Sequence, residues 1–95
     1  MQDFNGKVAL ITGGGRGIGR GIALRCAREG MKIILAGYGK ESITKTKADL
    51  EALGAEVAIF QVDVSDAAQV NAFAEQAFDA FGRVDLLVNN AGVAS

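Results

Sequence analysis

The sequence predicts an α/β fold, a doubly wound parallel sheet with helices on both faces, three layers in all. Three observations carry this reading. Short apolar runs alternate strictly with helical patterns along the 95 residues. The runs are apolar on consecutive positions, as in strands covered on both faces, instead of alternating apolar with polar. Glycines close most of the elements, where a tight reversal of chain direction is needed.

Each element can be justified in turn. The first run, VALIT (8–12), is short, apolar and ended by glycines. IGRGIALRCAREG follows with Ile18, Ile22 and Cys26 at helical spacing, and Gly30 is a suitable stop. KIILA (32–36) is the second strand. ESITKTKADLEALG is a weaker helix, with Ile43, Lys47, Leu50 and Leu53 on one face and Gly54 as its stop. EVAIFQVDV is the third apolar run. The next helix opens with Ser65 as N-cap and Asp66 in the first turn, where a carboxylate suits the positive helix end. Its stripe is Val70, Phe73, Ala77 and Phe81, and Gly82 ends it. VDLLV (84–88) is the fourth strand, and NNAGVAS closes the sequence.

Composition narrows the function classes. Hydrophobic residues make up 49% of the chain, charged residues 22%, and the net charge is −1. A balance so close to neutral lacks the clustered Lys and Arg that nucleic acid or an anionic membrane surface requires. With one cysteine, Cys26, and no histidine, neither an internal disulfide nor a zinc site is expected. The N-terminal MQDFNGK has no signal-peptide pattern, and no apolar run approaches the length of a membrane span. A cytoplasmic protein is the default expectation.

The segment TGGGRGIG (12–19) holds five glycines in eight positions. Ordering glycine is costly in backbone entropy, and a merely tight strand-to-helix connection needs one or two. A bare loop before a helix N-terminus does explain them, because backbone N–H groups and the helix dipole there favour an anion such as phosphate. The dinucleotide fingerprint G-x-G-x-x-G is absent, since Arg20 stands where it would end from Gly15. The triphosphatase loop G-x-x-x-x-G-K-[ST] fails as well, because Arg20 and Gly21 follow Gly19. The pattern that fits is T-G-x-x-x-G-x-G, with Thr12, Gly13, Gly17 and Gly19.

Across its whole length the chain resembles the short-chain dehydrogenases/reductases. The resemblance rests on TGGGRGIG after the first strand, Asp63-Val64 at the end of the third, NNAG (89–92) at the end of the fourth, and the intervals between them. An Asp at a strand end also serves as a helix cap, and Asn-Asn before Ala-Gly as a turn, so each motif is weak alone. The resemblance implies a Rossmann-like sheet of order 3-2-1-4 with right-handed crossovers. The first two helices would then share one face, and the third would cover the other. It further implies that Gly13, Gly17 and Gly19 shape the phosphate loop, with backbone contacts near Gly15, Arg16 and Ile18. Asp63 would accept from the adenine amino group with Val64 beside it. Asn90, Ala91 and Gly92 would line the ribose and nicotinamide side, and Asn89 would tie neighbouring strands.

The cofactor implied is a nicotinamide dinucleotide, NADP in preference to NAD. NAD sites place an acid at the tip of the second strand, whereas a 2′-phosphate calls for a basic partner. Here Gly37 and Tyr38 occupy the tip, and Glu41 comes later, at the start of the next helix. In the family a base often stands at the place of Arg16, with Lys40 in support; Arg16 also reads as a solvated surface charge.

The family's catalytic Tyr, the Lys four positions on, the Ser and the further Asn find no counterpart. Tyr38, the one tyrosine, lies at the adenosine side, and Ser42 stands where the Lys would be. The chain therefore reads as the N-terminal portion of a single NAD(P)-binding domain, residues 1–95, without its catalytic portion. Two functions follow. One is the dinucleotide-binding half of an oxidoreductase that reduces carbonyls or oxidises alcohols, inactive by itself; the other is a non-catalytic dinucleotide-binding or structural fragment. The expected partners are the dinucleotide, a small carbonyl or alcohol substrate of the parent enzyme, and either a second copy or the missing C-terminal half. The protein association would run through the fourth strand, which the order 3-2-1-4 leaves as an apolar edge.

Overall fold

The computed structural model describes residues 4–13, 17–63 and 66–89. Its elements are β1 (Val8–Thr12), α1 (Gly17–Arg28), β2 (Lys32–Gly37), α2 (Lys40–Ala52), β3 (Val57–Gln61), α3 (Ala67–Phe81) and β4 (Leu86–Asn89). The sheet is parallel throughout, in the expected order β3-β2-β1-β4. All four strands therefore end at the same edge.

Both faces of the inner strands are dry. On one face Ala9, Ile11, Ile33 and Leu35 pack with Ala23, Cys26 and Ala27 of α1 and Leu50 of α2. On the other, Val8, Ile34, Ala36 and Val62 pack with Phe73 and Ala77 of α3. Phe60 meets Phe73 edge to face, with ring centroids 5.4 Å apart. The two-and-one division of helices is the one expected. An ion pair of 2.6 Å between Arg20 and Asp49 links α1 to α2 across their shared face.

Several local expectations change. The buried side of α1 is Gly19, Ala23, Cys26 and Ala27, and Ile18 is 66% exposed. Small residues let the helix lie close on the sheet, and its first turn projects past the strand tips. In α2 the buried residues are Ile43, Thr46 and Leu50, with Lys47 half-buried and Leu53 exposed. A three-and-four spacing brings Thr46 inward instead of Lys47, whose ammonium turns out to Glu51 at 3.4 Å. Asp66, not Ser65, is the N-cap of α3: its carboxylate accepts from the N–H groups of Ala68 and Gln69 at 3.0 and 3.3 Å. α2 begins one residue before Glu41, at Lys40, and Glu41 sits in its first turn.

Strand ends shift too. β3 stops at Gln61, short of Asp63, while β2 gains Gly37. β4 starts at Leu86, not Val84, and includes Asn89. Gly82 caps α3 in the left-handed conformation, φ +74°, as a terminating glycine should. β4 is apolar yet open, with Leu86 and Leu87 40% and 62% exposed. Register sets Leu87 beside Leu10, on the α3 face. The α3 flank toward β3 carries Gln69, Ala72 and Gln76; helical spacing turns Ala74 and the exposed Phe78 to the opposite flank. α3 thus covers the β2–β3 half of its face and leaves the β4 half bare.

The starts of β1 and β4 are clamped by Asp85. Its carboxylate accepts from the Val8 N–H at 2.9 Å and from Arg83 at 2.6 and 2.8 Å, while its own N–H donates to the Val8 carbonyl at 2.9 Å. The Arg83 guanidinium, and then the Val8 N–H, hold the Asp85 carboxyl below its ordinary value. A lowered carboxyl stabilises the fold above the unfolded-state pKa and loses that contribution as pH falls through the folded value. Asp85→Asn is therefore expected to be less stable than the parent at about pH 7, with the difference shrinking toward about pH 3. Urea unfolding of both proteins at the two pH values checks this, and a gap independent of pH would remove the ionic role.

Candidate dinucleotide site at the strand tips

A chain of hydrogen bonds laces the sheet's C-terminal edge. The Thr12 hydroxyl donates to Asn89 Oδ1 at 3.0 Å and lies 3.4 Å from the Val88 carbonyl, joining β1 to β4. Gly13 N–H donates to the Ala36 carbonyl at 2.7 Å, joining β1 to β2. Val62 N–H donates to the Gly37 carbonyl at 2.9 Å, and the Gln61 side-chain amide to the Tyr38 carbonyl at 3.0 Å, joining β3 to β2. The Asp63 N–H donates to the Gln69 side-chain oxygen at 3.0 Å, which fixes the start of α3 against the same edge.

The entry to α1 suits an anion. Gly13 and Gly17 have φ of +67° and +63°, which L side chains rarely adopt. A Cβ built on Gly17 meets nothing within 4 Å, so the space over it is open. The first turn of α1 carries no acidic residue, whereas Arg25 and Arg28 occupy its last turn, where cations suit the dipole. Within α1 itself, no acidic side chain answers the positive end of the helix. Among the described residues no cluster of three or more His, Cys, Asp or Glu side chains could hold a metal ion.

Known proteins share this fold. The family profile described as short chain dehydrogenase matches residues 7–95. This chain belongs to the short chain dehydrogenase family. Levodione reductase of Leifsonia aquatica is 45% identical over 92 residues, which are 95% of this chain and 34% of that protein. A short-chain dehydrogenase/reductase from Burkholderia phymatum, solved in complex with NAD, is 48% identical with a TM-score of 0.85, covering 92% of this chain and 31% of that one. A metagenomic short-chain oxidoreductase solved with NADP is 36% identical with a TM-score of 0.90, covering 97% and 42%. The chain spans about a third of the length of the curated relatives it matches. The sheet order and flanking helices are those of the family's Rossmann-like fold.

For a member of this family, the candidate positions fall into two sets. Gly13, Gly17, Ile18, Gly19, Tyr38 and Asp63 all stand at the one edge where the strands end, Gly19 buried against the sheet and Tyr38 74% exposed. Gly15, Arg16, Val64, Asn90, Ala91 and Gly92 lie outside the described residues. Asn89 does tie neighbouring strands, through Thr12. Asp63 follows β3 by two residues instead of ending it, and its carbonyl accepts from the Asp66 N–H at 3.0 Å. Sequence reasoning passed over Gln61 and Gln69, whose amides fasten the β2 and α3 sides of the edge. The sequence signal for Gln61 is a polar side chain at an apolar strand's end, and Gln69, inside α3, carries none.

The Thr12–Asn89 contact closes the β1–β4 rung at the tip. Asn89→Ala removes its stronger partner and should cost about 0.5–1 kcal/mol of unfolding free energy, the range of an exposed neutral hydrogen bond. Denaturant melts measure it, and a variant as stable as the parent would show that the rung is idle.

Proposed function

We propose that this chain is the dinucleotide-binding portion of an NAD(P)-dependent oxidoreductase that interconverts carbonyls and alcohols. The observation that carries this is the convergence of four strand ends and the acid-free first turn of α1 at one laced edge. Ligands of open α/β sheets bind at that edge. Gly13, Gly15, Gly17 and Gly19 shape the phosphate loop, and the backbone at Arg16 and Ile18 faces the pyrophosphate. The exposure of Ile18 supports this, because its side of the first turn of α1 faces away from the sheet while Gly19 is buried. Asp63, Val64 and Tyr38 serve the adenosine end, and Asn90, Ala91 and Gly92 the ribose and nicotinamide end. The chemistry supplied by the cofactor when bound is hydride transfer, and this chain binds and orients it. No tyrosine other than Tyr38 is present, and Tyr38 lies at the adenosine end, so residues 1–95 by themselves turn over no carbonyl substrate.

NADP is the preferred cofactor. The tip of β2 is Gly37 and Tyr38, with no acid for the ribose hydroxyls of NAD. Lys40 opens α2, and Gly39 before it offers no side-chain cap, which supports a place for a 2′-phosphate beside Arg16. Glu41 in the same turn answers the dipole of α2 and tempers that preference. Among the relatives, one solved structure holds NAD and another NADP. Calorimetric titration separates the roles. Gly17→Val should abolish binding of both dinucleotides while the far-ultraviolet circular dichroism persists, with a lower melting point from the strained φ. Arg16→Ala should weaken NADP about ten- to hundredfold more than NAD, as loss of a charge-assisted contact implies. Equal loss for both would refute the 2′-phosphate role.

Residues 1–95 form the N-terminal portion of one domain, and association completes it. The open β4 edge, the exposed Leu86, Leu87 and Phe78, and the single helix on that face support pairing with a second copy or with a C-terminal portion of a longer chain. Sedimentation equilibrium at micromolar concentration should find dimers or higher species, and a cooperatively melting monomer would contradict this. The buried Cys26 thiol, pushed up by desolvation and so inert, accords with a reducing cytoplasmic setting. No helix among the described residues is long and apolar enough to cross a membrane.

A further inference from the structure

We infer that Gln61 is a positioning residue that holds Tyr38 at the adenosine end of the site and so sets the preference for a 2′-phosphate over a 2′-hydroxyl. This rests on the dinucleotide reading above. The inference begins with the end of a hydrogen-bond ladder. Gln61 is the last residue of β3, and register sets it opposite Gly37, the last residue of β2. The ladder's final backbone bond runs from Val62 N–H to the Gly37 carbonyl at 2.9 Å. Beyond it the Asp63 N–H turns to Gln69, so β3 offers its side chain for the next carbonyl. The Gln61 amide donates to the Tyr38 carbonyl at 3.0 Å and replaces the missing rung.

That rung carries weight because little else holds the turn. Tyr38 and Gly39 alone separate β2 from α2. The Gly39 carbonyl is engaged by Ile43 N–H, inside the α2 start, and Gly39 brings no capping side chain. The Tyr38 side chain is 74% exposed, so packing restrains it weakly. Among the described residues, the Gln61 amide is the contact that fastens the Tyr38 peptide to the sheet. The turn after the second strand is where a ribose 2′ substituent is read in sheets of this type. A 2′-phosphate is bound through charge-assisted hydrogen bonds with narrow geometry, so it depends on a fixed turn. A ribose hydroxyl with no acid to meet it has less to lose.

The chain supplies its own reporter, because Tyr38 is the one tyrosine and there is no tryptophan. Gln61→Met keeps the side chain's length and removes the donor. In the whole 95-residue chain the variant should lower the steady-state fluorescence anisotropy of Tyr38, lower the melting point by no more than about a few degrees, and reduce the NADP-to-NAD affinity ratio about three- to tenfold. Unchanged anisotropy overturns the positioning role, whether or not a nucleotide binds. Lower anisotropy with an unchanged ratio, or with equal weakening of both dinucleotides, overturns the selectivity role. Titration of the parent with adenosine 2′,5′-bisphosphate and 5′-AMP, both lacking the nicotinamide half, separates the two levels. Parent protein that binds neither fragment nor either dinucleotide overturns the dinucleotide reading and the selectivity role together, and the anisotropy still decides the positioning.

Discussion

β1 is paired on both sides, to β2 from Val8 to Thr12 and to β4 from Ala9 to Thr12, and both pairings are parallel. Parallel pairing obliges each strand to return through a helix on one face or the other. It also brings all four strand ends to one edge. Val8, Ala9 and Ile11 are fully buried because helices lie both above and below them, so the central strand can be apolar at successive positions. Among the described residues, the position of each candidate ligand-binding residue descends from this arrangement. Thr12 and Gly13 end the central strand, and the tips of β2, β3 and β4 are hung on them through short hydrogen bonds or on one another. At the opposite end Asp85 performs the same service for the strand starts. The sheet is thus pinned at both margins of its β1–β4 junction.

The helices divide the labour unequally. α1 meets the sheet through glycine, alanine and cysteine, which lets its backbone come close and its first turn overhang the tips. α2 contributes the larger buried side chains Ile43 and Leu50 and is fastened to α1 by Arg20 and Asp49. α3 covers the β2–β3 half of its face through Phe73 and Ala77 and leaves the β4 half to whatever pairs with that edge. An apolar strand with two exposed leucines is a template for association.

Much of the fold was legible in the residues. Apolar runs on consecutive positions announce strands buried on both faces, and terminating glycines at 30, 54 and 82 all adopt positive φ. Errors gathered where a choice depends on neighbours distant in sequence. Ile18 has the helical spacing of a core residue yet faces outward, because the sheet ends beneath it. Thr46 is buried and Lys47 is not, because the α2 face is set by where Ile43 and Leu50 meet the sheet. Ser65 and Asp66 are both competent caps. Asp66 took the role where its carboxylate reached two N–H groups in line with the helix.

The sequence by itself determined the alternation of elements, the bare entry to α1 and the absence of an acid at the tip of β2. These are properties of short stretches whose backbone preferences and side-chain chemistry act locally. Only the tertiary structure decided which side chains lace the tips together. That Thr12 meets Asn89, 77 positions away, and that Gln61 reaches the Tyr38 carbonyl, 23 positions away, depends on strand register. Register is strongly specified where a strand face is buried, but it is a match between strands distant in the chain, so no single stretch fixes it alone.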